Sequence, residues 1–200
     1  MNETTLFTIG HSNHPIETFL ALLNQHQISA IADVRSSPFS RYNPHYNREA
    51  LARSLTDAGV KYVYLGQELG ARRSEPECYR DHQAKYELIT HAPLFIQGLD
   101  RVRRGMLTHR IALMCSEKDP ITCHRTILIS RQLSPTIASI WHILEDGTLE
   151  SQADAEFRLL ALCGITTNDL FMTREELIDQ AYEIQGDRIA YVARDDSDED

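Results

Sequence analysis

The segment from Cys115 to Arg125, Cys-Ser-Glu-Lys-Asp-Pro-Ile-Thr-Cys-His-Arg, contains the side chains best suited to chemistry in this sequence. Cys123 is predicted to lie in the first turn of a helix, where free N–H groups and the positive end of the dipole stabilise a thiolate. Arg125 adds a positive charge, His124 can relay a proton near neutral pH, and Glu117 can act as an acid or a base. This pattern predicts a catalytic site formed by Cys115, Glu117, Cys123 and His124.

Two other interpretations of these thiols stay open. Free cysteines are often small buried hydrophobic residues, and Arg125 would then only form a surface ion pair. Zinc-type ligands are also available from Cys115, Cys123, His124 and His11. However, adjacent residues on a helix, such as Cys123 and His124, point in different directions, and the paired short spacings of structural zinc sites do not occur in the sequence. We therefore predict no metal site, with zinc kept as the alternative.

A second polar segment, from Asp33 to Arg41, contains two arginines and three serines within nine residues. Arginine makes bidentate hydrogen bonds to phosphate and carboxylate groups, and serine hydroxyls add short donors. We predict that an anionic substrate is bound by Asp33, Arg35, Ser36, Ser37, Arg41 and Arg125. The alternative is a solvated loop in which Asp33 pairs with Arg35 and the short polar side chains form turns.

His11 and Ser12 follow a short apolar run that ends in Gly10. A glycine allows the backbone to approach a ligand closely, so His11 and Ser12 are assigned to the same binding site. A structural role for this single histidine is the alternative. The aromatic and polar stretch 41–47 could stack a base or ring, but an irregular loop anchored by Tyr42 and Tyr46 is the simpler interpretation.

Five apolar runs predict the strands that position these residues: 6–9, 28–34, 60–65, 110–114 and 137–144, the last followed by a turn and a short return strand. Helical patterns cover 14–23, 48–58, 92–103, 123–132, 153–162 and 173–185. This alternation indicates an α/β fold, which we predict as three-layer α/β/α with a mostly parallel five-stranded sheet and a C-terminal helical extension. Ligands of such sheets bind at the carboxyl ends of the strands, where the polar clusters fall.

The chain has 200 residues, an ordinary globular composition and a net charge of −9. We predict an α/β domain over 1–162, a helical appendage over 163–194 and a disordered acidic tail over 195–200, which holds five of the acids. The remaining charge of −4 (−9 + 5) argues against broad nucleic-acid binding. The lack of a signal peptide or a long apolar run predicts a cytoplasmic protein without a membrane span, in which the cysteines are reduced thiols.

Together these segments resemble an uncharacterised family, the domain-of-unknown-function family 488 (DUF488). The resemblance covers about residues 6–145. It rests on Thr8-Ile-Gly-His-Ser12, Asp33-Val-Arg35 with Pro38, Ser40 and Arg41, then Tyr62, Leu65 and Gly66, and Cys115-x-Glu117 with Cys123-His-Arg125. The Gly-Gly pair that is common in the family after the leucine at position 69 is replaced here by Gly70-Ala71. The resemblance implies a compact α/β fold with its motif residues on strand-end loops, and a site without a named reaction.

These observations predict an anion-binding crevice in an enzyme that acts on a phosphorylated or nucleotide-like substrate through its Cys, Glu, His and Arg cluster. A thiol-dependent transferase or hydrolase is the reaction class that fits, and the sequence defines no cofactor, substrate identity or oligomeric state. The alternatives are a non-catalytic module that binds a nucleotide or nucleic acid, and a metal- or redox-sensing protein. An activated thiol would distinguish catalysis from simple binding.

Overall fold

The computed structural model describes residues 4–166 and 170–193. Its strands are β1 (Thr5–Gly10), β2 (Ala30–Asp33), β3 (Lys61–Tyr64), β4 (Tyr79–Arg80), β5 (Gln83–Ala84), β6 (Ile111–Cys115), β7 (Ser139–Ile143) and β8 (Leu149–Ser151). Its α-helices are α1 (Ile16–Gln25), α2 (Arg48–Asp57), α3 (Gly66–Leu69), α4 (Tyr86–Ile89), α5 (Pro93–Met106), α6 (Arg131–Leu133), α7 (Gln152–Cys163) and α8 (Arg174–Ile189). A π-helix (Arg125–Ser130) runs directly into α6.

Six strands form one sheet in the order β3-β2-β6-β1-β7-β8. The first five in this order are parallel, and β8 is antiparallel to β7. Every residue of β6 is buried, as expected for an apolar strand covered on both faces. The predicted α/β fold is confirmed, but the count of five strands is wrong by one. The short return segment after Gly147, whose φ is 82°, pairs with β7 as the sixth strand.

Helices cover both faces of the sheet. On one face, α1 and α2 pack Phe19, Leu23 and Leu51 against the strands. On the opposite face, α5 packs Phe95 and Leu99. Each of these side chains contributes about 1.5–3 kcal/mol when it leaves water, so the sheet is a rigid support for the loops at its edge.

The chain leaves the neighbouring strands β1 and β6 toward opposite faces of the sheet. After β1 it continues into α1 on one face, and after β6 it continues into the π-helix on the other. The two loops still begin side by side, because the His11 N–H donates to the Cys115 carbonyl at 2.9 Å. Diverging connections of this kind leave a crevice at the carboxyl ends of the strands.

The segment after β6 differs from the predicted helix over 123–132. Pro120–Thr122 forms a separate turn of 3-10 helix, which Asp119 caps. Cys123 ends that turn in an extended conformation, with φ −132° and ψ 142°. The helix begins only afterwards, at Arg125–Ser130, and it is a π-helix. Cys123 therefore precedes the helix instead of lying in its first turn, because the proline-initiated turn before it is a distinct element.

The C-terminal part of the described chain is helical. α7 and α8 pack against each other and share a small core with Ile127 of the π-helix. The predicted appendage over 163–194 thus contains α8, while the predicted tail over 195–200 lies outside the described residues. Within the described ranges, no helix combines the length and the apolar character needed to cross a membrane.

Candidate functional site

A crevice with two chambers opens at the carboxyl ends of β1, β2 and β6. The inner chamber has a volume of about 230 Å³ and is lined by residues of the segment 115–125, which we call the thiol segment. The outer chamber, of about 430 Å³, lies against the loop after β1. Four residues line both chambers and form the waist between them: Arg35, Ser37, Arg72 and Ser116. The crevice therefore occupies the position at which doubly wound α/β proteins bind ligands.

Four functional groups converge on the inner chamber. The Cys123 thiol donates to Glu117 Oε2 at 3.0 Å, and Cys115 Sγ lies 3.5 Å from His124 Nδ1. His124 Nδ1 is also 3.9 Å from Cys123 Sγ. The two cysteines and the histidine are buried, whereas Glu117 is exposed. The structure thus brings all four predicted catalytic residues together.

Arg125 shapes the loop that carries Glu117. Its side chain is fully buried, and its guanidinium donates to the carbonyl oxygens of Glu117 at 2.6 Å and Lys118 at 3.0 Å. The Arg125 backbone N–H donates to Cys123 Sγ at 3.4 Å. Gly10 leaves room for the same loop, because a Cβ atom there would overlap the Glu117 carbonyl oxygen. Arg125, predicted as an anion-binding residue, lines neither chamber and instead holds the cluster in place.

The pKa shifts of the cluster run in opposite directions. Burial raises the pKa of Cys115 well above its ordinary value. For Cys123, burial is outweighed by hydrogen bonding from Cys115 and the charge of Arg125, so the pKa falls well below the ordinary thiol value. Although Glu117 as a whole residue is exposed, desolvation of its carboxyl group beside the buried thiols, together with the negative charge of Cys123, raises its pKa. Contact with Cys123 raises the pKa of His124 despite its burial. A thiol that loses its proton easily beside a carboxyl that keeps one is typical of an activated nucleophile.

A buried ion pair lies at the end of β2. Arg35 donates through Nε and Nη2 to the two carboxylate oxygens of Asp33, at 2.9 and 2.6 Å. Tyr62 donates its hydroxyl to Asp33 Oδ2 at 2.8 Å, and Arg35 Nη2 donates to the Tyr46 carbonyl at 2.9 Å. The pairing of Asp33 with Arg35, which the sequence left open as an alternative, is therefore present. Arg35 still lines the waist, but protein groups occupy most of its donors.

His11 completes this network at the end of β1. Its Nε2 lies 3.2 Å from Arg35 Nη1, and its Nδ1 lies 2.9 Å from the Ser12 carbonyl. Since a guanidinium only donates, Nε2 is the acceptor and Nδ1 carries the single proton. Burial and the charge of Arg35 lower the pKa of His11 to about 4, in agreement with a neutral ring. Both ring nitrogens are engaged, so His11 supports Arg35 and is not placed to bind a metal with the thiols.

The predicted serines line the crevice, whereas Arg41, the second arginine of the loop after β2, does not. Ser36 and Ser37 line the inner chamber, and Ser12, with a φ of 47°, lines the outer chamber. Arg41 is exposed and lines neither chamber. The loop therefore contributes hydroxyl groups to the crevice, while its second guanidinium lies elsewhere on the surface.

Sequence reasoning missed seven residues that line the inner chamber: Ala71, Arg72, Tyr86, Ser116, Thr122, Ile189 and Tyr191. Arg72 follows the third predicted strand end, Gly66-Gln-Glu, and the rule that polar strand-end loops meet would have pointed to it. Tyr191 follows α8, far along the chain, and no local motif marks it.

The cluster could also hold a metal ion. One ligand atom from each of Cys115, Glu117, Cys123 and His124 lies within 4.8 Å of the others. Zinc–sulfur bonds of about 2.3 Å and zinc–nitrogen bonds of about 2.0 Å place tetrahedral ligands about 3.5 Å apart, close to the observed sulfur–nitrogen distances. His124 Nε2 is bonded to the Val34 carbonyl at 3.0 Å, which leaves Nδ1 free to face a cation. The expectation that Cys123 and His124 diverge is wrong, because Cys123 lies before the helix.

The fold and the site define a doubly wound α/β protein with a polar crevice at the switch in strand order. The chain belongs to the family described as Domain of unknown function DUF488, whose sequence profile matches residues 15–132. Neither a curated protein nor a solved structure matches the chain. The matched range includes the Asp33 loop and the thiol segment but is narrower than the expected 6–145. It leaves β1, α7, α8 and Tyr191 outside.

Proposed function

We propose that the protein is a thiol-dependent transferase or hydrolase that acts on a phosphorylated or nucleotide-like substrate. One observation carries the proposal: Cys123 lines the inner chamber with its sulfur 3.0 Å from Glu117 Oε2 and 3.4 Å from the Arg125 N–H. The carboxylate takes the thiol proton, and the N–H stabilises the sulfur anion. The two contacts supply the activation that a cysteine nucleophile needs, and the position of Cys123 in the wall of the inner chamber supplies the route for a substrate.

In the proposed reaction, Cys123 is the nucleophile and Glu117 is its base. Glu117 accepts the thiol proton, and the thiolate attacks the electrophilic atom of the substrate. The bond to sulfur forms while the bond to the leaving group breaks, and Glu117 returns its proton to the leaving group. Water in a hydrolase, or an acceptor hydroxyl in a transferase, then displaces the thiolate after giving its proton to Glu117.

The waist supplies groups for an anionic part of the substrate. Arg35, Ser37 and Arg72 line it, and guanidinium and hydroxyl groups bind phosphate through charge-assisted hydrogen bonds. The ion pair with Asp33 holds Arg35 in one orientation, which reduces the entropy that binding would otherwise cost. These features support an anionic substrate over a neutral one.

Site-resolved alkylation of the native protein tests the proposal. Protein freed of metal by a chelator is treated with iodoacetamide, and each cysteine is quantified by mass spectrometry with and without phosphate. We expect Cys123 to react first and phosphate to slow its reaction, while Cys78 and Cys163 act as internal controls that phosphate leaves unchanged. If Cys123 stays inert until the protein unfolds, the thiol mechanism is wrong.

The convergence of four ligand atoms favours a second candidate, a metal centre. Cys115, Cys123 and His124 would then hold a zinc-type cation, with the exposed Glu117 as the exchangeable ligand. Elemental analysis of protein purified without chelator or affinity tag tests this candidate. Stoichiometric zinc or iron that is lost in Cys115→Ser but kept in Cys78→Ser supports it, and substoichiometric metal contradicts it.

A further inference from the structure

Of the four arginines in or near the crevice, two are held by protein groups and a third lies outside both chambers. Arg35 is paired with Asp33, and the Arg125 guanidinium is buried against two loop carbonyls. Arg41 lines neither chamber. Arg72 is exposed at the waist, and across residues 4–166 and 170–193 the structure pairs its guanidinium with no acidic side chain. Of the two guanidinium groups that line the waist, Arg72 is therefore the one whose charge is not balanced by a described acidic side chain.

The position of Arg72 is fixed from two sides. Its backbone N–H donates to Ser36 Oγ at 2.9 Å, which ties it to the loop after β2. Its guanidinium carbon lies 4.7 Å from the ring centroid of Tyr191, within the range of a cation–π contact. A cation–π contact of this kind uses none of the guanidinium N–H groups, so it positions Arg72 without consuming its hydrogen-bond donors.

Tyr191 is held in place by the hairpin of β4 and β5. The Ala84 N–H donates to the Tyr191 carbonyl at 2.8 Å, and the Ala193 N–H donates to the His82 carbonyl at 2.8 Å. The segment after α8 is thus added to the edge of the hairpin, with Val192 bridged to Gln83. A part of the chain outside the family match therefore supplies one wall of the inner chamber and the support of Arg72.

We propose that Arg72 is the anchor for the phosphate group of a nucleotide and that Tyr191 is its positioning residue. The inference rests on the proposed function in taking the crevice as the substrate site, and it adds the residue that binds the anion and the class of ligand. The phosphate lies at the waist, where the hydroxyls of Ser37 and Ser116 join Arg72. Charge-assisted hydrogen bonds from an unpaired guanidinium are the strongest contacts that the waist can make.

The outer chamber is suited to the rest of a nucleotide. Its volume of about 430 Å³ lies in the range of small-molecule sites. Ser12, Asn13, Ser40 and Asn43 line it with hydroxyl and amide groups that can bond sugar and base atoms. Phe39, which also lines it, is 67% exposed and presents an apolar ring of the kind on which bases stack. The hydroxyl and amide groups of the outer chamber and the exposed Phe39 ring together favour a nucleotide over a small inorganic anion.

Calorimetric titration of the full chain with inorganic phosphate, AMP and adenosine tests the inference. We expect AMP to bind more tightly than phosphate and adenosine to bind most weakly. Arg72→Gln should weaken AMP and phosphate by about tenfold or more, the effect of removing a charged hydrogen-bond donor, and should leave adenosine unchanged. Arg41→Gln, the matched control in the neighbouring loop, should bind all three ligands as the native protein does.

The role of Tyr191 has its own readout. Tyr191→Ala should weaken phosphate and AMP as Arg72→Gln does, and Tyr191→Phe, which keeps the ring, should restore native binding. Native-like AMP binding by Arg72→Gln, or equal losses in Arg72→Gln and Arg41→Gln, would overturn the inference. Cys123 alkylation without phosphate should be unchanged in Arg72→Gln, so loss of the anchor is separable from failure of the thiol mechanism. Circular dichroism confirms that each variant is folded.

Discussion

Two clusters of buried polar side chains lie on this sheet, one at the crevice and one beneath α7 and α8. In the second, Thr8 Oγ1 is 2.8 Å from His142 Nδ1, and His142 Nε2 is 3.0 Å from Gln152 Oε1. Gln152 in turn donates to Tyr182 and Glu156. We refer to these five residues as the His142 network. The first cluster, Cys115, Glu117, Cys123 and His124, lines the inner chamber of the crevice, and no member of the His142 network lines either chamber.

The difference between the clusters shows that a perturbed pKa does not by itself mark a functional group. Burial lowers the pKa of His142 to about 3, a large shift, yet each of its nitrogens has one fixed partner. Such a network specifies how α7 and α8 pack on the sheet. In the crevice, the Cys123 thiol donates a hydrogen bond to Glu117, and both residues line a cavity. The shift has a chemical use only where a ligand can reach the group.

The largest predicted effect concerns His142 and the pH dependence of stability. Its pKa is about 3 in the folded protein and about 6.5 in the unfolded chain, which therefore binds the proton more readily. The stabilising contribution is complete above about pH 6.5 and is lost as the pH falls toward 3, by about 1.4 kcal/mol per pH unit and about 5 kcal/mol in total. Denaturant unfolding as a function of pH should show a shallower decline in His142→Gln than in the native protein.

The exposed His91 provides the control for this measurement. His91→Gln should keep the native decline, because its ring is not held by a buried network. An identical decline in His142→Gln and the native protein would mean that the His142 network does not couple protonation to folding. The His142 network could then no longer serve as the structural counterpart of the crevice.

The next effect concerns the crevice, and it is measured as the pH dependence of Cys123 alkylation in metal-free protein. The surroundings of Cys123 lower its pKa well below the ordinary value, so its thiolate forms at lower pH than that of an ordinary thiol and its rate should be nearly flat between pH 6 and pH 8. Burial raises the pKa of Cys163, so its rate should rise about tenfold per pH unit, or about 100-fold from pH 6 to pH 8. If the rates of Cys123 and Cys163 rose equally with pH, Cys123 would be an ordinary thiol, and its cluster would be structural, like the His142 network.

A smaller effect is expected when the close packing of Gly10 against the Glu117 loop is disturbed. Gly10→Ala places a Cβ atom against the Glu117 carbonyl, so the loop must shift, at a cost of about 2 kcal/mol in unfolding free energy. The Arg125 guanidinium, whose charge lowers the pKa of Cys123, is bonded to this loop and shifts with it, so the alkylation rate of Cys123 should then rise with pH. In Gly59→Ala the new atom meets nothing within 4 Å, so only the positive φ of 73° costs about 1 kcal/mol. Its Cys123 profile should stay flat.

The meeting of the strand ends could be predicted from the sequence because it depends on local patterns. Apolar runs that end in polar clusters mark β1, β2 and β6, and parallel strands bring such ends to one edge. The conformation at Cys123 could not be predicted in the same way. The periods of a 3-10 turn, an α-helix and a π-helix cannot be distinguished over so few residues, so the hydrophobic pattern does not show that Cys123 precedes the helix.

Which guanidinium faces the crevice also depends on packing that no local pattern encodes. The sequence places Arg35, Arg41 and Arg125 at the anion site because their guanidinium groups can bind phosphate and because they lie in the two polar segments. One is ion-paired, one lies elsewhere on the surface and one is buried in the loop behind the cluster. Arg72 reaches the waist because Ser36 and Tyr191 fix it there, and these residues come from distant parts of the chain.

The smallest predicted effect compares one hydrogen bond from each cluster. Tyr62 is half-buried, and its pKa is raised by burial, so its hydroxyl remains a donor to Asp33 at neutral pH. In Tyr62→Phe the carboxylate keeps its bonds from Arg35, and the unfolding free energy should fall by only about 1 kcal/mol. Thr8→Val leaves a fully buried ring nitrogen of His142 without its partner and should cost about 2 kcal/mol.

Denaturant unfolding of the two variants measures this difference directly. A larger loss in Tyr62→Phe than in Thr8→Val would show that the crevice, and not the His142 network, depends on complete hydrogen bonding. Phosphate binding gives the second readout. Since Tyr62 contacts the far side of the ion pair and lines neither chamber, the affinity of Tyr62→Phe for phosphate should be native. A loss as large as that of Arg72→Gln would place the Asp33–Arg35 pair, and not Arg72 alone, at the anion.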